Sequence, residues 1–158
     1  MRTIKRRRKE GKTDYKARLS LLKSGLARIV VRKTNRYIIV QYVKSKEAQD
    51  YVLITVNSKE LLNYGWQGNI KGSLNSVPAC YLTGLLLAKK IKKMEKGEVE
   101  AILDIGLARN VKKSRIYAVL KGLIDAEIKV KHKKDIFTDD ARIKGEHLKN
   151  KIDFEKIK

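Results

Sequence analysis

From residue 13 onward the chain alternates between a helical and a strand-like apolar rhythm. Behind Thr13 and Asp14, either of which can accept from first-turn amides, Tyr15, Leu19 and Leu22 stand at i, i+4 and i+7. The spacing predicts a short helix pinned to the core by one face and stopped at Gly25. Three β-branched and aromatic runs follow: Ala27 to Arg32, Tyr37 to Val43 and Tyr51 to Val56. The short connections between them predict an antiparallel meander. Tyr37 to Val43 is apolar at almost every position, which predicts an interior strand with covered faces. Asn57 or Ser58, with Glu60 downstream, caps a short helix that runs to Tyr64-Gly65.

Beyond a glycine-rich segment from Trp66 to Asn75, Ser76 and Pro78 open a long helix with Ala79, Leu82 and Leu86 inward and Gly97 past its end. Glu100 to Ile105 reads as a fourth strand, parallel to a meander strand because a helix precedes it. Ser114 caps a last strong helix whose apolar face is Ile116, Val119, Leu120, Leu123 and Ile124. The fold class expected is α/β: one mixed sheet, a three-stranded antiparallel meander plus a parallel strand, packed with helices in a ribonuclease H-like topology. Three parts are expected: a basic extended arm over 1–12, an α/β domain over 13–130, and a polar, partly helical extension over 131–158. The arm lacks apolar periodicity and is expected to be disordered without a partner.

Charge changes the picture from an ordinary domain to a polyanion-binding one. The 158 residues hold 38 basic and 17 acidic side chains, a net +21. Such an excess opposes compaction unless a partner neutralises it, and nucleic acid is the leading candidate. Every segment is positive, from +7 over residues 1–18 (nine basic, two acidic) to +3 over 131–158 (nine basic, six acidic). That spread suits a protein surrounded by nucleic acid better than one with a single membrane-facing patch. Cys80 is the only cysteine, so no internal disulfide forms, and the basic N-terminus lacks the apolar stretch of a secretory signal. No apolar run approaches a membrane span. A soluble, intracellular protein is expected, with no membrane partner.

Catalytic constellations are missing. His132 and His147 sit at no metal-binding spacing with each other or with Cys80, and are read as solvated or RNA-facing. Cys80, in the first turns of an apolar helix with no histidine as neighbour, is read as a core thiol. A metal-dependent nuclease needs converging carboxylates, and Asp104 is the only acidic residue inside a strand other than its leading Glu100. No enzyme activity, cofactor, metal or small-molecule substrate is expected. Gly65, Gly68 and Gly72 match neither the P-loop nor the dinucleotide fingerprint, so close phosphate approach and a flexible turn both stay open.

A binding reading has more to work with. Arg2, Lys5, Lys9, Lys12, Lys16 and Arg18 supply phosphate contacts around the richest cluster, Arg6, Arg7 and Arg8. The hairpin tip Arg32-Lys33-Thr34-Asn35-Arg36 presents three charges, a hydroxyl and an amide. Tyr15 or Tyr37 can stack on an unpaired base or pack in the core, the latter being favoured.

Four motifs, RRRKEGKTDYKARL, VVRKTNRYII, VPACYLTGLLLAKK and LDIGLARN…IYAVLKGLIDA, together resemble the archaeal and eukaryotic branch of one ribosomal family. It is large-subunit protein eighteen in the prokaryotic numbering, protein five in the eukaryotic, which binds 5S rRNA. The resemblance runs in order from Lys5 to Ile128. It implies a structural role in the cytoplasm: attaching 5S rRNA to 23S rRNA in the central protuberance, beside neighbouring large-subunit proteins that include another 5S-binding protein. It also implies RNA contacts from Arg6, Arg7, Arg8, Lys9, Gly11, Lys12, Thr13, Tyr15 and Arg18, and from Arg32, Thr34, Asn35 and Arg36. The glycine-rich loop corresponds to 64–73, which adds Trp66, Gly68, Lys71, Gly72 and Ser73 and favours the phosphate reading there. Two features depart from the family pattern: Cys80 stands where alanine is common, and no proline follows His132.

Overall fold

A computed structural model describes residues 3–47, 49–66, 73–95 and 97–147. Two short helices, α1 (Arg6–Lys9) and α2 (Tyr15–Lys23), precede the meander β1 (Ala27–Lys33), β2 (Ile38–Lys46) and β3 (Gln49–Asn57). A 3-10 helix (Ser58–Tyr64) leads on to α3 (Val77–Met94), β4 (Glu100–Asp104), α4 (Arg115–Asp125), β5 (Lys129–Val130) and α5 (Asp140–Lys144). The strands form one five-stranded sheet in the order β3-β2-β1-β4-β5. The meander is antiparallel, while β1 pairs with β4 in parallel, Val30 opposite Asp104. The expected mixed sheet with its parallel fourth strand is therefore present. The two-residue β5, parallel to β4, was too short to leave a periodic signal.

The sheet packs one face against α3, and α4 lies against α3. Ile29, Val31, Ile38, Val40, Tyr42 and Val56 supply that face. Between its two neighbours α3 is buried nearly all round, from Pro78 to Leu85 and again at Leu87, Ala88 and Ile91. The crossing of α3 and α4 depends on two glycines. A Cβ added at Gly84 would stand 2.3 Å from the Val119 carbonyl oxygen, and one at Gly122 would stand 2.3 Å from that of Tyr81. The caps read from the sequence are in place. Asp14 accepts from the amides of Lys16 and Ala17, and Asn57 and Glu60 form a full capping box ahead of a left-handed Gly65. Cys80 is fully buried, and desolvation pushes its thiol up to about 12.

Four expectations need correction. Helix α2 is not pinned by Tyr15, Leu19 and Leu22: it buries no residue and Leu19 is 54% exposed. It rides on the rim of the domain, held by its cap and by an ion pair from Arg18 to Asp50. The arm is not extended throughout. One turn at Arg6–Lys9 folds back through Gly11, with Lys12 N donating to Arg7 O and Arg7 Nε to Thr13 Oγ1. β2 is interior, but its faces are not both covered: Ile38, Val40 and Tyr42 are buried on the core face, while Ile39 and Gln41 on the second face are half-buried beside exposed Arg32, and Val43 is buried next to Tyr42 where the register with β3 shifts. Lastly, the chain past Val130 is not simply polar. Ile136, Phe137 and fully buried Ile143 pack against the core and bring α5 onto α3.

Candidate nucleic-acid interface

Parallel pairing puts the C-terminal ends of β1 and β4 at the same sheet edge, where open α/β sheets commonly place their ligands. Here the edge opens into a cleft of about 1440 Å³ between α2, the end of β1, and the loop from β4 to α4. That exceeds the ~300–1,000 Å³ usual for a small-molecule site. Cations come from every wall: Arg7, Lys12 and Arg18 from the N-terminal segment, Arg32 and Lys33 from β1, Arg109, Lys113 and Arg115 from the loop and α4, Arg142 from α5. Among the described residues only two carboxylates line it, and both are engaged within the protein. Asp14 caps α2, and Asp104 is paired with Arg28 and Arg32.

That last pairing belongs to a ladder of alternating charges across the second face of the sheet. Arg18 meets Asp50 at 2.7 Å, Asp50 pairs with Arg28, Arg28 meets Asp104 at 3.2 Å, and Asp104 meets Arg32 at 3.1 Å. Ser45 donates to Asp50 and accepts from Arg28. Arg28 is 2% exposed, so its charge is tolerable only because two carboxylates face it. The ladder ties α2 on one side of the cleft to the β4 terminus on the other. Arg32 is fixed rather than free: it donates to Val31 O, Asp104 O and Asp104 Oδ1.

Burial acts to raise the Asp50 pKa, yet hydrogen bonds from Arg28, Ser45 and Arg18 outweigh it and hold the carboxyl below its ordinary 3.8. A depressed folded value means the ladder's stabilisation is complete above the ordinary value and is lost as pH falls through the folded one. Asp50→Asn should therefore be less stable than the parent near neutrality, and the two thermal midpoints should converge as pH drops to about 2. Melting curves of both proteins from about pH 6 downward test this; parallel curves would mean Asp50 does not titrate against the ladder.

The hairpin tip is preformed. Thr34 bonds Tyr37 through both backbone and hydroxyl, and Asn75 Nδ2 donates to the carbonyls of Thr34 (2.8 Å) and Asn35 (3.3 Å). Residues 32–36 are exposed as a result.

The structure gathers Arg7, Lys12, Thr13, Tyr15, Arg18, Arg32 and Lys33 around one cleft. Asn35 and Ser73 line a smaller adjoining recess. Lys5, Arg6, Arg8, Lys9, Gly11, Lys16, Thr34 and Arg36 lie outside both. Lys5 sits over the Tyr15 ring at 4.6 Å, and Arg6 faces Glu10 at 3.6 Å. Trp66 is a correction: it is 2% exposed, so its ring lies in the core rather than on an open loop, and its amide closes the 3-10 helix on Leu61 O. Arg2, Gly68, Lys71 and Gly72 fall outside the described residues. Arg109, Lys113, Arg115 and Arg142 are cleft residues the sequence reading missed. For the first three the available signal was the parallel β4, whose following loop has to lie beside the end of β1.

Fold and cleft together define a basic α/β protein with a large cleft walled by cations. The comparisons make this specific. The family model for "Ribosomal large subunit proteins 60S L5, and 50S L18" matches residues 1–99 and 91–133. A "Large ribosomal subunit protein uL18" of Korarchaeum cryptofilum is 53% identical over 143 residues, 90% of this chain and 70% of that one. Proteins of the same name from Methanoculleus marisnigri and Methanothrix thermoacetophila are 50% and 48% identical, over 90% and 92% of this chain and 78% and 82% of theirs. The chain belongs to this family of large-subunit ribosomal proteins, structural components rather than enzymes.

Proposed function

We propose that this protein binds 5S rRNA and helps attach it to 23S rRNA in the central protuberance of the large ribosomal subunit, beside neighbouring ribosomal proteins. The observation that carries the reading is the cleft at the joint β1–β4 edge. Its cations come from four separate parts of the fold, and its two carboxylates are both engaged inside the protein. Lys33, Arg109, Arg115 and Arg142 have no carboxylate partner among the described residues, so their charge is available to phosphates. Family membership supports the ribosomal setting. Residues 3–12 then act as an arm that extends the cleft along the RNA backbone.

Labelled 5S rRNA bound to the protein should resist excess tRNA and duplex DNA. Displacement by either as effective as by unlabelled 5S rRNA would replace the reading with general nucleic-acid coating. Changing Arg6, Arg7 and Arg8 together to Ala should weaken binding and flatten its salt dependence. The expected change is roughly 0.7–0.9 in log–log slope for each phosphate that the arm then leaves unneutralised. An unchanged slope would remove the arm from the interface.

A further inference from the structure

The loop from β4 to α4 carries Arg109 and Lys113 and leads into Arg115, all three of which line the cleft. Its residues 106–113 are exposed, so burial does not hold it in place. Asp104 fixes its start at the Gly106 amide, and Asn110 in its middle accepts from the Tyr117 hydroxyl. Its end is held from elsewhere in the chain. Lys113 stands in the left-handed region, φ 58°, which a residue with a side chain keeps only where its surroundings fix it. Both of its backbone groups are taken by the segment that follows β5. The Lys113 amide donates to the Ile136 carbonyl at 2.9 Å, and the Lys113 carbonyl accepts from the Thr138 hydroxyl at 3.1 Å. Ion pairs flank this clasp, Lys112 to Asp135 at 2.5 Å and Lys113 to Asp139 at 3.2 Å.

The segment that supplies the clasp is itself anchored. Thr138 and Ile143 are each 4% exposed, and Ile136 and Phe137 pack against the core. His132 meets the Phe137 ring edge-on, with centroids 5.0 Å apart. The segment is thus the fixed side of the clasp and the loop is the held side. Residues 134–139 do not line the cleft, so whatever they contribute to RNA binding passes through the loop. They also lie past residue 133, where the family match ends.

We infer that residues 133–139 are a strap that holds the β4–α4 loop in its RNA-binding position, with Thr138 as the positioning residue. Arg109 and Arg115 neutralise phosphates together only while the loop keeps its place. A loop released at Lys113 has to be ordered at the moment of binding, and the apparent affinity falls by the fraction of molecules that hold the binding form. An uncharged side chain outside the cleft therefore governs how many phosphates the cleft neutralises. The inference rests on the RNA-binding reading above and extends it to a segment beyond the family match.

Thr138→Val keeps the shape of the side chain and removes the donor. Titrations with 5S rRNA over a range of salt should show binding weaker by about threefold to tenfold, the range for one neutral hydrogen bond. The log–log slope should flatten by roughly 0.7–0.9 for each phosphate that the loop no longer holds. A loss of stability alone would not move that slope, because the substitution changes no charge. Thr138→Ser restores the hydroxyl and should return both values to the parent's. Thr138→Ala fits wherever threonine fits, and as the second variant it should flatten the slope as valine does. Arg109→Gln should cost less affinity in the Thr138→Val background than in the parent, because both changes act on one wall. Slopes equal to the parent's in the valine and alanine variants, or strict additivity with Arg109→Gln, would overturn the strap and leave the cleft intact. Failure of the parent to bind 5S rRNA at all would overturn the RNA reading itself, and the strap's role with it.

Discussion

Gly84→Ala and Gly122→Ala should each lower the melting temperature by about 6–12 °C, for a loss of about 3 kcal/mol in a chain of this size. On an exposed helix the same change would stabilise by about 1 kcal/mol, because alanine is the better helix former. Geometry reverses the sign here. The added methyl would stand 2.3 Å from a backbone carbonyl oxygen of the facing helix in both cases. A backbone oxygen cannot swing aside as a side-chain tip can, so α3 and α4 must separate and loosen the packing of Ala118, Val119 and Leu123. Thermal melts of the two variants decide the matter. A midpoint equal to or above the parent's would show that the helices cross at a greater distance than the structure gives them.

Asp104→Asn should cost a comparable amount, about 3 kcal/mol, through electrostatics rather than shape. Removing the charge leaves buried Arg28 with Asp50 alone and takes from Arg32 its only carboxylate partner among the described residues. Asp104 also accepts from the Gly106 amide at 2.8 Å and so fixes the start of the loop that carries Arg109. The substitution should therefore reach RNA binding as well as stability, because that loop forms one wall of the cleft. Chemical denaturation with a 5S rRNA titration checks both parts. A stable variant would mean that Asp50 alone balances Arg28.

Asp104 shows where the sequence was readable and where it was not. Strands β1 to β3 were legible because their β-branched and aromatic runs are long and bounded by turn residues, and the Asn57–Glu60 box because capping is local. Asp104 drew notice as a strand carboxylate, but its partners are Arg28 and Arg32, far away along the chain and adjacent only through the β1–β4 pairing. Arg109, Arg115 and Arg142 were passed over for the same reason: nothing in a linear charge pattern says which cations share a wall. Trp66 was misjudged because glycines follow it, whereas the 3-10 helix before it turns the indole inward. The α2 stripe misled differently. Three apolar residues at helical spacing promise a buried face, yet a helix on the rim of a highly charged domain can leave Leu19 in solvent.

The buried thiol of Cys80 gives the protein a built-in clock. Only a thiolate reacts quickly with alkylating reagents, and here the group is both fully enclosed and held neutral, with its pKa at about 12. Labelling at neutral pH must wait for the helix that carries it to come away from the core. The rate of modification therefore counts openings of the central helix, without any added probe, in a molecule whose one cysteine leaves no second site to confuse the reading.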